Sequence, residues 1–93
     1  MGRNGQKKKR FTITNKLGIH LRVASLFSQT ANQFSSEVQV SKDGLTVSGK
    51  SITDLLRLGA ASSSRITVTT KGPDASSAME ALEKLIVNKF GEE

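Results

Sequence analysis

The 93-residue chain contains no cysteine, tryptophan or tyrosine, and it has a single proline. The absence of cysteine excludes disulfide bonds and thiolate metal sites, and it suits a reducing compartment. No apolar run is long enough for a signal peptide or a membrane-spanning helix, so we expect a cytoplasmic protein. The only aromatic residues are four phenylalanines, most of which fit apolar stripes. This scarcity disfavours nucleic acid as a partner, because sheet-based RNA binders need exposed aromatic rings for stacking.

The formal net charge of +6 is concentrated at the start of the chain. Five of the fourteen basic residues lie within residues 1–10, which leaves nine basic and eight acidic residues in the remainder. Residues 1–10 show no apolar periodicity and contain two glycines, so we predict a disordered basic tail. A single folded domain is expected over residues 11–93.

Hydrophobic periodicity predicts four strands and three helices. Alternation of apolar and polar residues indicates strands at 11–14, 37–40, 45–48 and 66–69, and helical spacing indicates helices at 21–33, 52–58 and 75–90. The order is therefore β-α-β-β-α-β-α. Because each strand and each helix offers one apolar side, we predict an α+β fold in which one four-stranded antiparallel sheet carries all three helices on one face.

The segment Gly44–Ser51 fits the nucleotide-binding pattern G-x-x-x-x-G-K-[ST] letter for letter. The four residues between its glycines alternate as a strand, and no later apolar strand ends in an aspartate that would hold a metal ion. We therefore do not expect nucleotide hydrolysis. Ser51 has a simpler use, because its hydroxyl can accept a hydrogen bond from the Asp54 amide and so begin a helix.

His20 is the only histidine, and it lies where a loop turns into a helix. Four roles compete for it: a helix cap, a metal ligand, a general base, and a nucleophile that accepts a phosphoryl group. The metal role lacks further ligands, and a small single-layer sheet leaves little room for the pocket that a general base requires. Free amides at a helix N-terminus bind anions, and Arg22 can add charge-assisted hydrogen bonds to a phosphoryl group. These arguments leave the cap and the nucleophile open.

Residues 18–25, with the sequence GIHLRVAS, resemble the phosphohistidine motif of the HPr family. These proteins are the histidine-containing phosphocarriers of the bacterial phosphoenolpyruvate-dependent phosphotransferase system. Lys50-Ser51-Ile52, followed by Leu58-Gly59, resembles the second motif of that family, and the likeness covers residues 11–90.

The resemblance implies an open-faced β-sandwich that carries a phosphoryl group rather than a free-standing catalyst. His20 would be phosphorylated on Nδ1 by enzyme I and would pass the group to an enzyme IIA domain during sugar transport, and Arg22 would hold the phosphoryl oxygens. The resemblance also implies that partner proteins dock on three apolar side chains: Leu21, Ile52 and Leu56. No metal ion and no cofactor are expected.

In some members of the family a dedicated serine kinase/phosphorylase modifies the residue that corresponds to Ser51, so the resemblance makes Ser51 a candidate regulatory site. This chain departs from the family pattern at Val23, where proline is usual, and at Thr53, where a large apolar residue is common. The alternative function is therefore that of a regulatory relative, in a nitrogen-linked or other branch, which binds proteins according to its phosphorylation state.

Overall fold

The computed structural model describes residues 5–92 and contains four strands and three helices in the predicted order. In chain order the elements are β1 (Gly5–Thr12), α1 (Leu21–Ala31), β2 (Glu37–Lys42), β3 (Leu45–Ser48), α2 (Ile52–Arg57), β4 (Arg65–Gly72) and α3 (Ala75–Val87), followed by a 3₁₀ turn, Lys89–Gly91. The strands form one antiparallel sheet in the order β1-β4-β2-β3. The predicted α+β open-faced sandwich is confirmed.

The core lies between one face of the sheet and the apolar stripes of the helices. Alternate residues of β4 are buried, and so are Val38 and Val40 of β2. From the helices, Phe27 and Leu82 are fully buried against them. Val23 of α1 is also fully buried, so this side chain contributes to the core.

The strand β1 begins six residues earlier than the sequence predicted. Its register runs from Gly5 opposite Gly72 to Thr12 opposite Arg65, so the prediction of disorder is wrong for residues 5–10. These residues are polar and exposed, and backbone pairing with β4 rather than apolar burial holds them in place. Residues 1–4 of the predicted tail lie outside the described residues.

The remaining boundaries shift by a few residues. The helix α1 ends at Ala31 rather than near residue 33, and β4 extends to Gly72. The helix α3 ends at Val87, because Lys89 and Phe90 adopt positive φ angles of 55° and 56° that no right-handed helix can continue.

The nucleotide-binding pattern at residues 44–51 does not form a phosphate loop. Residues Leu45–Ser48 are the strand β3, paired with β2, and Asp43 and Gly44 make the hairpin turn at φ angles of 49° and 84°. Ser51 caps α2 as predicted, because the Asp54 amide donates to its hydroxyl oxygen over 3.2 Å.

Asp74 is the N-cap residue of α3, but its side chain does not cap the helix. The carboxylate instead accepts hydrogen bonds from the backbone amides of Ser35 and Ser36 and from the Ser36 hydroxyl. The Ser36 hydroxyl makes the largest contribution in lowering the pKa of the Asp74 carboxyl below its ordinary value. Asp74 therefore fastens the start of α3 to the loop that leads into β2.

Replacing Asp74 with asparagine is expected to lower the free energy of unfolding at pH 7 and to have less effect at pH 3. The unfolded chain has the higher carboxyl pKa, so it takes up the proton first as the pH falls. The stabilisation by ionised Asp74 is therefore complete above the carboxyl pKa of the unfolded chain, and it is lost progressively as the pH falls through the lower pKa of the folded protein. Urea unfolding at the two pH values measures the difference. Asp43→Asn is the control, because Asp43 lies in an exposed turn; an equal Asp74→Asn deficit at both pH values would contradict the prediction.

Candidate functional site

The loop between β1 and α1 is fixed at both of its ends. The Ile13 amide donates to the Ser64 carbonyl oxygen and the Ile19 amide donates to the Ala60 carbonyl oxygen, each over 2.8 Å. Between them, Gly18 has a φ angle of 70° and lies against the backbone of residues 60–61. The chain therefore enters α1 in one defined direction, with His20 as its N-cap residue.

His20 stands at the N-terminus of α1 in an extended conformation, and its ring makes no capping hydrogen bond. The first helical bond runs from the Ala24 amide to the His20 carbonyl oxygen over 2.8 Å, so the amides of residues 21–23 precede the helical ladder. The His20 side chain is one-third exposed, at 33%. Its ring thus lies at the surface, beside a cluster of backbone donors.

Glu92 lies on one side of the His20 ring. Its carboxylate oxygens are 3.0 and 3.1 Å from Nε2 of His20. Because a carboxylate accepts hydrogen bonds, this geometry favours a proton on Nε2 and leaves the lone pair on Nδ1. The hydrogen bond from His20 is also the main reason that the pKa of the Glu92 carboxyl lies below its ordinary value.

Arg22 and Asn15 meet the same carboxylate. The Arg22 guanidinium donates to Glu92 over 3.0 Å and, through both terminal nitrogens, to the carbonyl oxygen of Phe90. The side-chain nitrogen of Asn15, which is fully buried, donates to Glu92 over 3.0 Å and to the Gly18 carbonyl oxygen over 2.7 Å. The structure thus brings together the predicted His20 and Arg22 with two residues that sequence reasoning did not identify.

Replacing His20 with alanine is expected to raise the pKa of the Glu92 carboxyl toward its ordinary value, because the largest cause of the depression is removed. Carbon-13 NMR of the Glu92 carboxyl during a pH titration measures the change. Arg22→Gln is the matched comparison and should raise this pKa less, because the charge of Arg22 is the smallest contributor. A Glu92 titration curve that is unchanged by His20→Ala would show that the contact does not exist in solution.

The other predicted site residues lie on α1 and α2. Leu21 is 63% exposed on α1, and Ile52 and Leu56 of α2 are also exposed. Leu17, in the loop before His20, is exposed too and was not predicted. Ser51 is half-buried, and its hydroxyl lies 3.2 Å from that of Thr53. Within residues 5–92, no three metal-binding side chains cluster and no helix is long and apolar enough to cross a membrane.

A family model described as the PTS HPr component phosphorylation site matches residues 7–88. The chain belongs to the HPr family. HPr proteins are phosphocarriers of the phosphotransferase system, and this chain is 48% identical over 85 residues to the phosphocarrier protein HPr of Neisseria meningitidis, covering 91% of this chain and 96% of the relative. It is also 45% identical over 75 residues to the HPr-like protein Crh of Halalkalibacterium halodurans, covering 81% of this chain and 89% of that protein.

Solved HPr structures share the fold. The crystal structure of HPr-C-His from Thermoanaerobacter tengcongensis aligns with a TM-score of 0.90 and 42% sequence identity, covering 94% of this chain and 98% of that chain. The HPr family match begins at residue 7, which agrees with the observed start of β1 better than with the predicted domain start at residue 11.

Proposed function

We propose that this HPr protein accepts a phosphoryl group from enzyme I on Nδ1 of His20 and passes it to an enzyme IIA domain, in the cytoplasm. One observation carries the proposal. Glu92 binds Nε2 of His20, which leaves the lone pair on Nδ1, and this nitrogen belongs to a ring that is one-third exposed beside the free amides of α1. A nucleophile with a defined tautomer beside anion-binding groups is what phosphoryl transfer requires.

In the proposed transfer the Nδ1 lone pair forms a bond to phosphorus, and the bond from phosphorus to the donor atom on enzyme I breaks. The donor atom keeps the bonding electron pair, so charge balances without a further reactant. The amides of residues 21–23 stabilise the phosphoryl oxygens. Arg22 exchanges its bonds to Phe90 and Glu92 for bonds to the same oxygens.

The exposed leucine and isoleucine side chains around His20 and Ser51 support docking. Leu21, Ile52 and Leu56 lie on two helices that pack against each other, and Leu17 lies in the loop beside them. Apolar side chains that remain exposed near a reactive group are typical of a protein-binding surface. We propose that enzyme I and the enzyme IIA domain dock here in turn.

The test incubates the protein with enzyme I and phosphoenolpyruvate and follows it by phosphorus-31 and nitrogen-15 NMR. We expect a phosphorus resonance coupled to Nδ1 of His20. Arg22→Gln should slow transfer by about 10- to 100-fold, since it removes charged hydrogen bonds to the phosphoryl group. Lys71→Gln, which removes the same charge from the opposite side of the sheet, should leave the rate within about twofold. Absence of the resonance, or equal slowing by both variants, would refute the proposal.

The chain is also similar to Crh, the Bacillus subtilis catabolite repression HPr, and this likeness favours a second candidate, a regulatory role. We propose that a serine kinase/phosphorylase modifies the half-buried hydroxyl, which adds negative charge beside Ile52 and alters protein docking. Phosphopeptide mapping of the protein from its native host, grown under several nutrient conditions, is expected to find phosphoserine at position 51. Its absence in every condition would leave Ser51 only the role of helix cap.

A further inference from the structure

The face of the sheet away from the helices carries unpaired positive charge. On β4, buried residues alternate with exposed or half-exposed ones, so Arg65 and Lys71 point to this open face, as do Lys8 and Arg10 of β1. Within residues 5–92, none of these four cations takes part in an ion pair. Among residues 5–92, the side chains on this face are polar or charged, so a ligand of this face would be held by charge and hydrogen bonds.

A shallow depression lies at the end of the open face next to the β2–β3 turn. Arg10 and Arg65 border it, and Thr67 and Ser41 lie between and beside them. The sheet register explains this arrangement: Thr67 stands opposite both Arg10 and Ser41, and Arg65 lies two residues before Thr67 on the same face. Diagonal neighbours on one sheet face are about 7–8 Å apart at their Cα atoms, a distance that two arginine side chains easily span.

The charge of the depression matches a dianion. Lys42 and Asp43 also line it, but they neutralise each other in an ion pair of 3.2 Å. The positive charges of the Arg10 and Arg65 guanidinium groups are left without an opposite charge. Neighbouring like charges on a sheet face repel each other. A bound dianion would remove that repulsion, and the small Thr67 and Ser41 side chains leave room for it above the sheet.

We propose that this depression, the Arg10–Arg65 site, binds the dianion of a phosphate monoester. A terminal phosphoryl group carries nearly two negative charges and three acceptor oxygens. The two arginine forks can serve these oxygens together with the hydroxyls of Thr67 and Ser41. A carboxylate has one charge and two oxygens, and a phosphodiester has one charge, so each would leave donors unused. The site is separate from His20, and it does not depend on the proposed transfer function.

The experiment titrates nitrogen-15-labelled protein with methyl phosphate at pH 8 and constant ionic strength. We expect the amides around Arg10, Arg65 and Thr67 to shift with a dissociation constant on the order of 1 mM. Any binding at His20 would shift the amides of residues 21–24 instead, so the two sites are distinguished residue by residue. Dimethyl phosphate should bind at least about tenfold more weakly, because it has lost one charge.

The two variants to be compared, Arg65→Gln and Lys71→Gln, change residues on the same strand, β4, and on the same open face of the sheet. Arg65→Gln should weaken methyl phosphate binding at least about tenfold, whereas Lys71→Gln, six residues along β4, should change it less than about twofold. Equal weakening by both variants, or tighter binding of a single-stranded oligonucleotide with a steep salt dependence, would show a diffuse polyanion surface and overturn the proposal. The absence of any shift up to about 20 mM methyl phosphate would overturn it as well.

Discussion

The His20→Ala variant is expected to accept no phosphoryl group from enzyme I, a loss of at least about 10³-fold in the rate of transfer. The chain contains no second histidine that could take the place of His20. Although the helix amides and Arg22 would still attract the phosphoryl group, no nucleophile would stand beside them. Mass spectrometry of the intact protein under alkaline conditions, which preserve the P–N bond, measures the result.

The variant should remain folded, so the loss can be assigned to chemistry. The His20 ring makes no capping hydrogen bond and is one-third exposed, so its removal leaves no buried cavity. Lys84→Ala, on α3, serves as the matched surface truncation and should transfer normally. A labile phosphoryl group that persists in His20→Ala would refute the assignment. An acid-stable group would instead indicate a phosphoester, with Ser51 as the first position to examine.

The strands with alternating apolar residues could be predicted from sequence, and those without could not. In β2 and β4 the buried valine and isoleucine residues recur at every second position, so local pattern and tertiary burial agree. In β1 the residues from Gln6 to Arg10 are all polar. That part of the strand depends on backbone pairing with β4 and on the contact of 2.7 Å between Lys9 and Glu83, neither of which has a local signature.

In the candidate site, too, the residues of a local motif could be predicted from the sequence, and the residues that reach the site from elsewhere in the chain could not. The motif around His20 and Arg22 is contiguous, and its resemblance to a family identified both residues. Glu92 meets the ring of His20 across 72 positions of sequence, because three consecutive residues with positive φ, Lys89 to Gly91, redirect the chain after α3. Asn15 reaches Glu92 across 77 positions, from a turn before α1 in which the Gly18 amide donates to the Asn15 carbonyl oxygen. Contacts of this kind depend on the assembled fold and have no periodicity to reveal them.

Replacing Gly18 with alanine is expected to destabilise the protein by about 2–5 kcal/mol, from backbone strain at positive φ together with steric overlap. A Cβ atom at Gly18 would lie 2.5 Å from the Ala60 carbonyl oxygen and 2.8 Å from the Ala61 Cα atom. Both atoms belong to the backbone and cannot rotate away. Urea unfolding measures the loss, which is a large share of the roughly 5–15 kcal/mol that stabilises a small domain.

The variant Gly44→Ala separates backbone strain from steric overlap as causes of the destabilisation. Gly44 also has a positive φ, of 84°, but no atom lies within 4 Å of the position that its Cβ would take, so this variant has backbone strain alone. We expect it to lose about 1–2 kcal/mol and to keep normal transfer. In Gly18→Ala, by contrast, the loop must move away from residues 60–61 and carry His20 with it, so the fraction that stays folded should also transfer more slowly. Equal destabilisation by the two substitutions would show that the backbone of residues 60–61 can move aside at little cost. The direction in which the chain enters α1 would then not depend on the contact between Gly18 and residues 60–61.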